Sequence, residues 1–497
     1  MKKPTSPRLH QVHIGLGPND HEPVKNYEAK SIVYEQEQEV LETNLLDLCP
    51  SSLWPKGSHT SMCPRPVLVT REHQQQLAEL HDALTTAITD IVERWWSDRE
   101  ARFPERMPLE KQEEDLLRWL DGRIPEYRHC RGAWRPDFVI GGDGCAENDA
   151  LVENPQITEI NARFSFNGLL HQAYGQDSLE LMGVGKNGLI SGTDTGEIIE
   201  GMLSLFQRDR PLHLLKGEEP GMDIHMFIDI FQRRFNLRPR LITPADLRLL
   251  PDPQKEGGYK LCCLLKQNEP VHSSLITDKG EAVEEIHQVG LELHQRELHA
   301  MQPEMLQQIG LRCFNDMRTI LLVHDKRMLG IVKQELHNLT ARQVLSWTQA
   351  QTLEKSITDT FIPGSLQLDQ LLRLSTDNPE IRKEFLLKPV RGGKGAGIIF
   401  GDEYEPIEWI SALRRLQSPK LVPGETCVIQ RRIVPRLYDV VLKTSGIKTQ
   451  CPLVGTYHAM QGKLLGFGVW RISSKRICAI STGGSWTCTV MRDGPRD

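Results

Sequence analysis

No run of about 18 consecutive apolar residues occurs anywhere in the chain, so no membrane-spanning helix is expected. The sequence also lacks any Lys/Arg-rich block or basic helix. With 60 basic against 66 acidic residues and a net charge of −6, nucleic acid is not the expected partner. The basic start, Met1-Lys2-Lys3, has no apolar stretch behind it, so no secretory leader is expected. There is no C-x-x-C pair among the 11 cysteines, an odd number. They read as reduced thiols of a cytoplasmic protein, with Cys262 and Cys263 as small hydrophobes in a strand-like run. No internal repeat and no low-complexity tract appears.

What is present is a chain of 497 residues, enough for about three domains at roughly 150 residues each. Residues 1–62, rich in Pro, Gly, His and acidic residues, read as an extended arm. From Thr70 to about Leu120 the pattern is helical, with Leu77, Leu80, Leu84, Ile88, Ile91 and Trp95 at threes and fours. Trp134–Ile140 and Pro155–Asn161 read as two strands of a hairpin-like passage joined through the Gly141–Gly144 turn, and a helix should follow Gly168. Between 210 and 250 a strand, a helix (Met222–Phe235) and a second strand give a βαβ rhythm, with Pro244 opening another helix. That unit holds no G-x-G-x-x-G, so it is not a dinucleotide site. Residues 311–375 look mostly helical, and 384–497 rich in strands and glycine. The divisions are 1–62, 63–205, 206–310 and 311–497.

The sharpest local pattern is Phe385–Phe400. Two apolar runs flank the six-residue loop Gly392-Gly393-Lys394-Gly395-Ala396-Gly397, which holds four glycines and a lysine. Glycines let backbone N–H groups converge on an anion with no Cβ in the way. Lys388 and Lys394 add positive charge for phosphate oxygens. The loop is no Walker A motif, because the G-K-[ST] ending is missing and the exit reads as a strand. A solvated hairpin would explain the loop alone. Downstream, Val428–Ile433 is an apolar strand ending in the polar residues Gln430 and Arg431, suited to an adenine edge or to an ordinary core.

Lys326, the glycine loop with Lys388, and the Val428–Ile433 strand together resemble the ATP-grasp superfamily. Its acidic-x-Asn motif normally follows the nucleotide strand, but here the matching tripeptide, Glu159-Ile160-Asn161, lies upstream. That order resembles the circularly permuted branch of eukaryotic glutathione synthetase and glutathionylspermidine synthetase. Arg135-Pro136-Asp137-Phe138 is similar to that branch's strand before the metal strand. Arg471 and the Gly483-Gly484 loop are similar to its substrate-facing arginine and lid. Departures stand beside these likenesses. Gly392 occupies the place of a glutamate metal ligand, Arg431 that of a hinge glutamate and Ser473 that of a lysine, while Ser165 and Asn167 only partly match the branch's substrate-gripping serines. A product other than glutathione is implied.

The resemblance implies an α/β (α+β) ATP-grasp fold, circularly permuted, with the βαβ unit as an inserted substrate subdomain. It implies an ADP-forming carbon–nitrogen ligase that uses ATP and Mg2+ on small-molecule carboxylate and amine substrates, and a homodimer. Nucleotide contacts fall on Lys326, Lys388, Gly392, Gly393, Lys394, Gly395, Gly397, Gln430 and Arg431. Glu159 and Asn161, two apart on a strand, share a face and offer hard oxygen ligands to Mg2+. Asp137 is a further ligand or an orienting group. Arg135 and Arg471 suit a carboxylate and a developing acyl phosphate; Arg135, Ser165, Asn167, Gly483 and Gly484 would face substrate. His171 reads as structural, and Tyr457 and His458 as facing the site without an assigned role. A small-molecule kinase and a non-catalytic ATP-binding protein are the alternatives.

Overall fold

The computed structural model describes residues 9–14, 23–24, 32–142, 153–186, 188–265, 274–442, 444 and 446–494. Within the stretch expected as an arm, Ile32–Leu48 forms helix α1, which buries Tyr34, Leu41 and Leu45. The Pro- and Gly-rich flanks hide this short periodic stretch in the sequence. Arg71–Glu93 forms α2, capped by Thr70 and burying Leu77, Leu80, Leu84, Ile88 and Ile91 on one face. The helical pattern does not run unbroken to Leu120. Pro104 starts a separate four-residue turn, and α3 spans Lys111–Leu120.

Ala133–Ile140 (β1) and Pro155–Asn161 (β2) pair antiparallel, as the alternation predicts; most of the expected turn between them lies outside the described residues. Helix α4, Leu169–Met182, starts after Gly168, whose φ of 84° is the left-handed conformation that favours glycine. His213–Lys216 (β3), Ile224–Phe235 (α5) and Arg240–Ile242 (β4) follow, and Val289–Glu292 (β5) joins β3 to complete a three-stranded parallel sheet. Pro244 opens only a 3-10 turn, not a helix, and Leu247–Pro251 continues as a strand. Leu-Arg-Leu-Leu alternates rather than repeating at threes, and pairing with Tyr259–Leu264 decides it.

Past helix α6 (Arg327–Ala341) come β6, Phe385–Pro389, and β7, Cys427–Arg431, which pair antiparallel in a four-stranded sheet. Phe385, Leu387 and Ile429 pack beneath Trp409, Leu413 and Leu368 of the covering helices. The long strand β8, Thr449–Met460, lies between β1 and β9, Trp470–Ile472, in a seven-stranded sheet. No described helix is long and apolar enough to cross a membrane. The ten described cysteines are free, with Cys262 and Cys263 fully buried.

Candidate active site

One face of the seven-stranded sheet floors a cavity of about 440 Å³, roofed by the glycine loop and by residues 474–481. Strand alternation places Arg135, Asp137 and Val139 of β1 on this face, with Val454, Thr456 and His458 of β8 beside them. Cross-strand register sets them in rows. Asn161 of β2 lies opposite Arg135, and Glu159 opposite Asp137, which in turn faces Thr456.

An irregularity between Asp137 and Phe138 leaves Thr158 outside the regular ladder. Its carbonyl accepts from Gln430 Nε2 at 3.1 Å and from Lys388 Nζ at 3.5 Å, tying β2 to the sheet of β6 and β7. Lys388 is thereby held over Glu159. Lys326 Nζ sits 3.3 Å from Glu159 Oε2 and donates to the Gly392 carbonyl at 2.7 Å. Burial by itself would raise the Glu159 pKa, but Lys326, Lys388, Arg471 and Arg135 outweigh it and hold the carboxyl well below the usual range. Burial, reinforced by Lys326 and Arg471, pulls the Lys388 ammonium down to about 8 against the opposing pull of Glu159 and Asp137. Two lysines therefore converge on one carboxylate, an excess of buried positive charge suited to phosphate.

Both Asp137 oxygens are engaged, Oδ1 by Arg135 Nε at 3.2 Å and Oδ2 by Arg471 Nη2 at 2.7 Å. Asp137 therefore orients the two guanidiniums. Arg471 Nε is buried with no hydrogen-bond partner among the described residues. Asn161 donates its amide N–H to Glu159 Oε1 at 3.4 Å. The pair offers a carboxylate and an amide oxygen, and this donor set fits Mg2+, which takes one or two carboxylates and fills its octahedron with phosphate and water. Gly392 adds no ligand to that set.

The glycine loop is anchored at its start and at its middle. Arg391 pairs with Glu113 at 2.6 Å, Glu110 at 3.3 Å and Asp325 at 3.3 Å. Glu110, Glu113 and His299 bring possible metal-binding atoms within 4.8 Å of one another, but the Arg391 guanidinium already satisfies that cluster. Farther along, Lys394 pairs with Glu219 at 2.8 Å, and Gly395 lies so close to Ile477 that a Cβ would approach it to 2.4 Å. The two roof segments thus touch.

Of the residues expected at the site, Arg135, Asp137, Glu159, Asn161, Asn167, Lys388, Lys394, Gly395, Gln430, Arg431 and Arg471 line the cavity. Lys326 reaches it through Glu159. Ser165 does not: its Oγ accepts the Leu291 N–H at 3.1 Å, stitching this segment to β5. Gly392, Gly393 and Gly397 shape the loop without lining the cavity. Gly483 and Gly484 close the turn after Ile480–Thr482, and it is the preceding residues through Ser481 that face inward. Arg431 is half-exposed and paired with Asp359 and Glu384 at the rim. Tyr457 points away from the cavity and packs edge-on against His81, since neighbours on a strand face opposite sides. His171 lines the cavity while bonded to Asp223 at 2.9 Å and Ser58 at 2.8 Å. Lys475, Arg476 and Met222 also line it, and no sequence motif singled them out.

A solved ligand-free glutathione synthetase-like effector from Globodera pallida superposes with a TM-score of 0.52 over 93% of this chain and 98% of its own, at 14% identity. The fold is therefore that of the glutathione synthetase-like proteins. Residues 80–322 match the family described as the AnkG N-terminal domain. The chain is 33% identical to the ATP-grasp enzyme ankG of Aspergillus thermomutatus over an alignment of 485 residues that covers 95% of this chain and 97% of that relative. The chain belongs to the ATP-grasp family of that enzyme.

Proposed function

We propose that this protein is an ATP- and Mg2+-dependent carboxylate–amine ligase, forming ADP and an amide of small, amino-acid-like substrates through an acyl phosphate. The observation that carries the reading is Glu159, partly buried where two sheets meet under a glycine loop, beneath the buried Lys326 and Lys388. The permuted order, with Glu159-x-Asn161 ahead of the loop, and the parallel sheet as a substrate subdomain belong to the same reading.

Lys326, Lys388 and Lys394 would hold the triphosphate, with Gln430 and Arg431 at the base. Glu159 and Asn161 would hold Mg2+, which when bound neutralises phosphate charge. Arg135 and Arg471, fixed by Asp137, would orient the substrate carboxylate toward the γ-phosphorus and stabilise the charge that develops. Phosphoryl transfer calls for positioning and electrostatics more than covalent help. The amine then attacks the acyl carbon and phosphate leaves. The glycine loop meeting Ile477 would keep water from the mixed anhydride.

ADP release from the purified protein with paired acids and amines tests this. Glu159→Gln and Lys388→Ala are each expected to slow turnover by about 100-fold or more. Full turnover in both variants would overturn the assignment. A stable phosphorylated product would point to a kinase, and ATP binding without turnover to a non-catalytic binder.

A further inference from the structure

The substrate end of the cavity contains a buried histidine that the proposed chemistry does not use. His458 is 2% exposed and lies on the cavity face of β8. Its Nε2 is buried with no hydrogen-bond partner among the described residues. The register that pairs Thr456 with Asp137 and Ala459 with Trp134 sets His458 directly across from Arg135. Cross-strand neighbours on one face have Cβ atoms about 5 Å apart. Gly468 leaves the imidazole its room, since a Cβ there would stand 3.0 Å from Nε2. Met222 and His171 close the wall.

A buried polar atom without a partner is costly in a folded protein, so one kept on a residue that lines a cavity points to a ligand group. The identity of that group follows from charge. Burial and Arg135 together keep the imidazole neutral, lowering its pKa to about 3 against the opposing pull of Asp223. An ammonium would be repelled by Arg135, and a carboxylate is better met by the Arg135 fork than by a neutral ring. What remains for the ring is an uncharged polar group.

We propose that His458 is a substrate-binding residue that hydrogen-bonds an uncharged hydroxyl or amide of the acid substrate, while Arg135 opposite takes that substrate's carboxylate. This rests on the ligase reading, and it narrows the acid to one bearing such a group within a few bonds of its carboxylate.

Matched acids that differ only in that group provide the test: lactate against propionate, threonine against 2-aminobutyrate, glutamine against norvaline. Hydroxylamine serves as the amine, converting an acyl phosphate to a hydroxamate whatever the natural amine is. ADP release and hydroxamate are measured with ATP held constant, and the shift in thermal midpoint caused by each acid is measured with ADP bound. In at least one pair the hydroxyl or amide member is expected to win by about tenfold or more in kcat/KM and to give the larger thermal shift. His458→Leu should abolish that preference, the loss falling on the KM for the acid, and His458→Gln should restore part of it. If the leucine variant does not fold, the glutamine variant decides, through a changed ratio between the two members.

Pairs in which neither member exceeds the other, or a preference that survives both substitutions unchanged, would overturn the inference. Equal turnover of both members removes this inference and leaves the ligase reading standing. A preference that ends in a stable phosphorylated acid, with no hydroxamate, removes the ligase reading and keeps this one.

Discussion

Gly392 shows how a single residue can separate space from conformation. A side chain there would meet nothing within 4 Å, so crowding does not account for a glycine at this position. Its φ of 139° does, because only glycine adopts that region without strain. Gly392→Glu is therefore expected to cost about 1–3 kcal/mol, read as a lower thermal midpoint of the ligand-free protein. Gly455 is the opposite case. Its backbone is unremarkable, but a Cβ would fall 2.2 Å from Phe138 Cζ and 2.8 Å from Trp470, both buried under the cavity floor. Gly455→Ala should lose about 1–3 kcal/mol through overpacking, measured by denaturant unfolding with the m-value unchanged.

Among elements, the glycine loop depends on helix α3 more than on its own sequence. Arg391 reaches Glu110 and Glu113 of that helix region, and His299 donates toward Glu113 at 2.9 Å. The hydrogen bond to Glu113 raises the His299 pKa above its ordinary 6.5, with burial opposing. Its stabilising effect is therefore complete below about 6.5 and fades as pH rises through the raised value. Glu113 behaves in the opposite sense. Burial would raise it, but His299 and Arg391 hold it below its ordinary 4.5, so its effect is lost as pH falls through the acid range. The advantage of the native protein over His299→Gln should be greatest near pH 5–6 and shrink toward pH 8 or above, followed as thermal midpoint against pH. A constant difference across that range would show that the ion pair is not the cause.

In the molecule as a whole, the two ends of the chain share one sheet. Val67–Val69 pairs antiparallel with His10–Gln11 and parallel with Thr489–Arg492. Beside this sheet, Arg65 is fully buried, bonding Glu37 of α1 at 2.8 Å and the Val441 carbonyl at 2.9 Å. Removing one partner of a buried pair leaves the other charge without compensation. Arg65→Ala is accordingly expected to destabilise the chain by about 3–5 kcal/mol and to lower the unfolding midpoint of the whole protein together, as monitored by tryptophan fluorescence and circular dichroism.

The sequence by itself determined the local patterns that a few neighbouring residues suffice to define. The strand alternation of Ala133–Ile140 and Pro155–Asn161, the buried face of Arg71–Glu93 and the glycine loop with Lys388 were legible because strand and helix periods and glycine's conformational range are properties of short segments. Glu159 and Asn161 could be paired on one face for the same reason. Contacts between residues far apart in the chain were decided only by the tertiary structure. Ser165 turned to the β5 backbone, both Asp137 oxygens were taken by arginines, and Arg391 was bound 278 residues away to Glu113. His458 came to face Arg135 through a strand register set by long-range pairing, and no local period reports which strand lies alongside.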